Sequence, residues 1–352
     1  MFAKKKIALY TIMHFLVDFA CIFHLFAYIW PRWPGSEAWI IFVVLYNFMA
    51  FAFPALVGLL SDIIDANYLL AGVGCAIVGL SSLLFLPMFL QVILAGLGNG
   101  MFHIAIGRQV LTDAQGKFSQ PGIFICSGAM GVFLGTTLAN RGLHPLNYIL
   151  TVSMVLFAIY LIISGVKILF KDDNINKTSH SLEHDNTVKY EFLFSAAVLV
   201  FIVVFLRSFY GRMAIYSWKN TFLISLLFTS CIIAGKALGG VIADKIGITT
   251  TTIISLGGAA ITVLFSADNM FFGYVSIFLF NMTMPLTLTL ISECWKGYPG
   301  LAFGILMLAL FLGGLPSLAF QGVTMSVFGL SIVSICSMFI LLKAIMLKRR
   351  KD

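Results

Sequence analysis

The chain has 352 residues, of which 60% are hydrophobic and 10% charged. A soluble domain of this size carries about a quarter of its residues charged, so the composition excludes a chain that covers itself in water. The net charge of +8 could suit a nucleic-acid partner, but the placement of the basic residues excludes that reading below.

The apolar residues do not alternate with polar ones; they run in blocks such as Tyr68 to Phe89. About 20 apolar residues at 1.5 Å rise each cross a hydrocarbon core, and open strands are ruled out because lipid offers no partner to unpaired backbone groups. Breaks marked by Pro, Gly or charge place spans near 7–30, 38–60, 67–86, 88–111, 119–140 and 146–169, then near 191–212, 218–241, 248–267, 270–292, 300–320 and 325–347. Lys4, Lys5 and Lys6 open the chain like a signal-peptide n-region. No small-residue cleavage site follows, and the first block holds Asp18, so that block is read as the first span. Cys21, Cys75, Cys126, Cys231, Cys294 and Cys336 lie in or beside apolar blocks without Cys-x-x-Cys or Cys/His spacing. Neither a disulfide framework, a zinc site nor a cofactor is expected.

Twelve spans put both ends on one side. With that side in the cytoplasm, the inner loops and ends hold Lys4, Lys5, Lys6, Arg108, Lys117, Lys167, Lys171, Lys177, Lys189, Lys236, Lys245, Lys296, Lys343 and the Lys348–Lys351 tail, against Arg32, Arg141, Arg207, Arg212 and Lys219 outside. The tally is 17 against 5. The positive-inside rule therefore predicts a multi-pass inner-membrane protein with both termini cytoplasmic, and orientation alone accounts for the positive charge.

The polar stretch 171–190 divides the chain into 1–170 and 191–352. Gly58-Leu-Leu-Ser-Asp62 after the second span matches Gly240-Val-Ile-Ala-Asp244-Lys245-Ile-Gly247 after the eighth, an offset of 240 − 58 = 182. Asn99 matches Asn281 at the same offset, 281 − 99 = 182. Pro121-Gly122 and Phe133-Leu134-Gly135 match Pro299-Gly300 and Phe311-Leu312-Gly313, offset by 299 − 121 = 178. The expected fold is an all-α membrane protein of twelve transmembrane helices in two pseudo-symmetric six-helix bundles. Parallel repeats of this kind place a solute between the halves near the bilayer midplane.

The Gly240–Gly247 segment resembles the loop motif of the major facilitator superfamily. The Gly58–Asp62 copy keeps the Gly and Asp but lacks the basic residue and the second Gly. The resemblance implies a secondary transporter that works by alternating access. In it Gly58, Asp62, Gly240, Asp244 and Lys245 serve a cytoplasmic gate, the Gly admitting a close helix and the Asp capping a neighbouring helix end. Phe102-His103-Ile-Ala-Ile-Gly107-Arg108 is similar to the fourth span of fosmidomycin-resistance-type efflux members, without their Pro.

Ionisable groups inside a membrane are costly and mark function. Asp18 lies about 16 Å along its helix from Ile7, near the midplane, with His14 one turn away on the same face. The pair is a proton-site candidate or a static polar clasp between helices. Asn99 and His103 share a face of the fourth span and are cavity candidates. Arg108 sits about a turn from the inner end and is read as a latch to Asp62 or Asp113. Arg207 interrupts the seventh span: either it contacts an anion, or it snorkels outward with Arg212 while Trp218 joins the aromatic belt. Asn47, Asn140, Asn281, Glu293 and Gln321 are further candidates, Glu293 pairing with Lys296 or Lys236 in the plainer reading. The glycines of Gly96-Leu-Gly98-Asn-Gly100 follow no strand and are read as helix packing, as are Gly128, Gly131, Gly135, Gly313 and Gly314.

The cation excess of Arg207, Arg108 and His103 over Asp18 points to a small anionic solute, with a proton as coupling ion, the bilayer as surroundings and a monomer as the working unit. An intramembrane enzyme is the alternative. His14-x-x-x-Asp18 resembles acyltransferase His/Asp pairs, but those need four intervening residues where this chain has three, and no hydrolase or metalloprotease motif is present. A sensor would need an attached signalling domain, which the sequence lacks.

Overall fold

The computed structural model describes residues 2–33, 37–172, 187–319 and 323–350. The linker at 171–190 falls mostly outside them, as does Gln321. The first half contains α1 (Phe2–His24), a π turn (Leu25–Ile29), α2 (Glu37–Asn47), a second π turn (Phe48–Ala52), α3 (Pro54–Ile64), α4 (Asn67–Ser81), α5 (Met88–Ala114), α6 (Ser119–Cys126), α7 (Gly128–Asn140) and α8 (Leu146–Asp172). The second contains α9 (Thr187–Met213), α10 (Phe222–Ile246), α11 (Ile248–Thr252), a third π turn (Ile253–Gly257), α12 (Gly258–Val263), α13 (Met270–Asn281), α14 (Thr283–Cys294), α15 (Pro299–Gly314), α16 (Pro316–Ala319) and α17 (Val327–Arg349). Among the described residues there is no strand. Among the described residues ten helical segments are long and apolar enough to cross a membrane; α4 and the segment Ile248–Val263 are shorter. The chain is an integral multi-pass membrane protein.

Element ends follow local chemistry and shift several expected boundaries. α4 stops at Ser81, where the Ser81 and Ser82 hydroxyls donate back to the Val78 and Gly79 carbonyls at 2.7 and 2.6 Å, competing with the helix ladder. α10 starts at Phe222 because Thr221 caps it, accepting from the Ile224 N–H at 3.3 Å. It runs on to Ile246 and ends at Gly247, whose φ of 85° suits glycine. α3 continues to Ile64 and stops where Asp65 turns left-handed at φ 53°.

Helices approach through small residues, as expected where lipid supplies no drive between apolar surfaces. A Cβ on Gly98 would lie 2.6 Å from the Gly74 carbonyl oxygen, and one on Gly96 2.7 Å from that of Tyr46. The two halves meet most closely on the face that carries the chain ends. There Gly58 abuts the Gly300 backbone, and Gly240 abuts that of Phe118. Toward the opposite face the halves touch through side chains: Phe48 and Phe311 with ring centres 5.9 Å apart, and Phe133 and Phe222 5.6 Å apart. The Arg141 guanidinium lies 4.8 Å from the Phe222 ring.

Candidate functional site

The interior is organised around two interrupted helices. α6 and α7 are parted at Ser127, and α13 and α14 at Met282. Three successive carbonyls just before the first break receive side-chain donors. Thr11 Oγ1 donates to Ile123 at 3.3 Å, His14 Nδ1 to Phe124 at 2.8 Å, and Lys236 Nζ to Ile125 at 3.4 Å. Thr11 and His14 come from the first half and Lys236 from the second, so one broken helix anchors polar groups of both.

His14 and His103 converge on Asp18. His14 Nε2 is 3.3 Å from Asp18 Oδ2, His103 Nε2 is 3.6 Å from Oδ1, and Asn99 Nδ2 donates to Oδ1 at 2.9 Å. Gly128 leaves room for the cluster, since a Cβ there would run into Asp18 and lie 2.6 Å from His14 Nε2. The tautomers are fixed by what lies behind the rings. His14 Nδ1 faces the Phe124 carbonyl, and His103 Nδ1 faces the Asn99 carbonyl at 2.8 Å. A carbonyl oxygen only accepts, so both Nδ1 atoms carry hydrogen and both Nε2 atoms are left to face Asp18. With neutral imidazoles and an ionised Asp18, two nitrogen lone pairs would face carboxylate oxygens. One proton, on Asp18 or on either Nε2, turns one of the two contacts into a hydrogen bond. The three groups lie close enough to share one proton.

Arg207 forms the counterpart in the second half. It is buried, at 7% exposure, so it does not snorkel to an interface. Its Nη2 donates to Asn281 Oδ1 at 3.1 Å and its Nη1 to Thr283 Oγ1 at 3.2 Å, on either side of the Met282 break. The two amides thus meet opposite charges: Asn99 donates to a carboxylate on α1, and Asn281 accepts from a guanidinium on α9. Among the described residues no carboxylate lies within ion-pair distance of Arg207 or Lys236.

The cluster and these cations line one cavity of about 780 Å³ between the halves, together with Asn281 and Asn47. Lys236 belongs to this site. The charge count had set it among the inner-side lysines; it sits inside α10, with Gly239, Gly240 and Asp244 between it and the helix end. Its signal was available: a lysine within an apolar run that continues past it.

The cavity is shut on the face carrying the chain ends. Asp62, its side chain 1% exposed, accepts from the Gly300 and Leu301 N–H groups at 2.9 and 2.8 Å, at the start of α15. Asp244 accepts from Phe118 and Ser119 at 2.7 and 3.1 Å, at the start of α6. Each carboxylate caps a helix of the other half, where orphan N–H groups and the helix dipole favour an anion. Arg108 backs the first latch, donating to Asp62 at 2.7 Å, Asp65 at 2.6 Å and Asn67 at 2.7 Å. It does not reach Asp113, which accepts from Gln109 at 2.9 Å.

No family model and no curated protein sequence matches this chain. Solved structures do. The E. coli fucose:proton symporter FucP, in a point-mutant form, matches with a TM-score of 0.58 and 11% identity over 99% of this chain and 98% of that one. FucP in the outward conformation, described as a Major Facilitator Superfamily transporter, matches with a TM-score of 0.61 and 14% identity over the same shares. This chain shares the fold of that transporter.

Within that fold the remaining candidates are dispersed. Lys245 is exposed, with no ion pair recorded for it among the described residues. Glu293 lies 3.7 Å from Lys296 and 3.8 Å from Lys348, away from Lys236. Asn47 donates to the Val43 carbonyl at 2.7 Å, and Asn140 is exposed at the end of α7. Arg212 is exposed and borders the cavity. Trp218 packs inward, donating to the Ser266 carbonyl at 2.7 Å.

Proposed function

We propose that this chain is a major facilitator superfamily transporter with twelve spans in two six-helix bundles, 1–170 and 191–352, and both termini cytoplasmic. It moves a small anionic solute together with a proton across the cytoplasmic membrane by alternating access. The observation that carries the reading is a single cavity with a buried carboxylate–imidazole cluster in the wall from one half and, in the wall from the other, cations without a carboxylate partner among the described residues, Arg207 and Lys236 foremost. Solute and proton then load into one compartment. Their charges offset each other, which lowers the cost of carrying either through a low-dielectric interior. FucP, whose fold this is, is a proton symporter.

The test is proton movement in proteoliposomes with an internal pH dye, using separate pools of carboxylates, phosphates and neutral sugars. The reading expects an anion pool to move protons. Proton movement driven only by neutral sugars would exclude the anion, and an anion flux that leaves the internal pH unchanged would exclude the coupling.

Arg207→Gln should raise the KM for the transported anion by about 30- to 150-fold, the effect of losing about 2–3 kcal/mol from a buried charge contact, and Arg207→Lys should recover part of it. Uptake kinetics decide: an unchanged KM in Arg207→Gln would mean that the guanidinium only braces Asn281 and Thr283.

A further inference from the structure

The walls of the same cavity carry a second message, about the body of the solute. We propose that the solute is an amphipathic organic anion: one carboxylate or comparable oxyanion on a largely apolar body, its charged end at Arg207 and Lys236. This rests on the transporter reading above and narrows it.

Three observations support it. First, donors are left over at the cationic end. A guanidinium carries five N–H donors and an ammonium three. Arg207 spends two on Asn281 and Thr283, and Lys236 spends one on Ile125. Three and two remain, enough to satisfy both oxygens of a carboxylate. Second, the rest of the wall is apolar. Phe26, Trp39, Phe42 and Phe51 line it from one half and Phe303 and Met307 from the other. Trp39 is set by ring contacts with Phe26 at 5.6 Å and Trp30 at 4.7 Å, which gives a fixed aromatic surface. Third, apart from Arg212, a further cation of the wall, the other polar side chains there already have partners. Asn47 donates to Val43, Asn281 donates to Ile277 and holds Arg207, and the His14 and His103 Nδ1 atoms face carbonyls. A polyol entering here would bury hydroxyls without partners, at about tenfold in affinity for each. A methylene entering here would gain about fourfold. The volume of about 780 Å³ suits ligands up to drug size.

The experiment is calorimetric titration of the purified full-length protein, which needs no transport. The probes are acetate, phenylacetate, 1-naphthylacetate, 1-naphthylacetamide, gluconate and L-fucose. Affinity should climb at least tenfold with each step from acetate to phenylacetate to naphthylacetate. The neutral amide should bind at least tenfold more weakly than its acid. Trp39→Leu should weaken naphthylacetate, and Lys236→Gln should weaken the acid without affecting the amide. Thermal melts of both variants guard against misfolding, and the wild-type probe series stands whether or not they fold. Affinity that ignores the aromatic body, an amide equal to its acid, gluconate or L-fucose binding best, or no heat from any probe at millimolar concentration would each overturn the proposal. Naphthylacetate binding without proton movement under any gradient would uphold this solute class and remove the coupling instead. Proton uptake driven by L-fucose alone would do the reverse.

Discussion

Asp18→Asn is expected to abolish proton-driven accumulation of the solute while solute exchange across the membrane continues. Asp18 is the member of the cluster that both imidazoles face, at 3.3 and 3.6 Å. An amide at this position preserves the geometry: its oxygen still accepts from Asn99 Nδ2, and its NH₂ can donate to an imidazole Nε2. What it cannot do is bind and release the coupling proton. With one proton per solute, a pH step of one unit supplies about 1.4 kcal/mol, a tenfold accumulation. In the variant that ratio should collapse to about unity. Counterflow of labelled solute against an excess of unlabelled solute should persist, because Arg207 and Lys236 are untouched. Internal-pH traces and tracer uptake in proteoliposomes read both halves of the prediction. Tenfold accumulation in Asp18→Asn would recast the cluster as a clasp that holds α1 against α5.

The outline of this arrangement was legible in the sequence because membrane folding leaves coarse marks. Apolar blocks gave most of the helices, and matched offsets paired Gly58 with Gly240, each against backbone of a distant segment, and Asn99 with Asn281, each beside a buried charge. His14, Asp18, Asn99 and His103 were each visible as polar residues that apolar surroundings do not favour. Their convergence was not, since it depends on α1 and α5 lying side by side and on Gly128 of a third helix leaving space. The breaks at Ser127 and Met282 left no Pro at the break itself, so neither the anchoring of His14 and Lys236 nor the partners of Arg207 could be foreseen. Lys236 shows the limit of charge counting: a lysine near a span's end scores as an orientation signal whether it faces a loop or a cavity. Arg108 could be read as a latch, but its choice of Asp62 and Asp65 over Asp113 depends on the left-handed turn at Asp65, which apolar periodicity does not encode.

Removing the Asp62 latch should shift the resting protein toward opening on the face that carries the chain ends. The size follows from separating contacts within a half from those between halves. Arg108, Asp65 and Asn67 belong to the same half as Asp62, so their contacts persist in either conformation and largely cancel. The two N–H bonds from Gly300 and Leu301 exist only when the halves are closed here. Hydrogen bonds to charged groups contribute about 1.5–3 kcal/mol each. Taking the low end for both gives about 3 kcal/mol, a shift of about 100-fold in the open-to-closed ratio. Asp244→Ala should act in the same direction and more weakly, because its carboxylate is exposed and better served by water. Gly58→Val should act most strongly, since its side chain would meet the Gly300 backbone directly. The measurement is labelling of a Phe303→Cys reporter, on a background without other cysteines, by a membrane-impermeant maleimide applied from either side. Phe303 lines the cavity just inside the closure, so Asp62→Ala should speed labelling from the face of the chain ends and slow it from the other. Equal rates with and without Asp62 would mean that packing of Gly58 on Gly300 closes this face unaided and that the carboxylate serves only to hold Arg108.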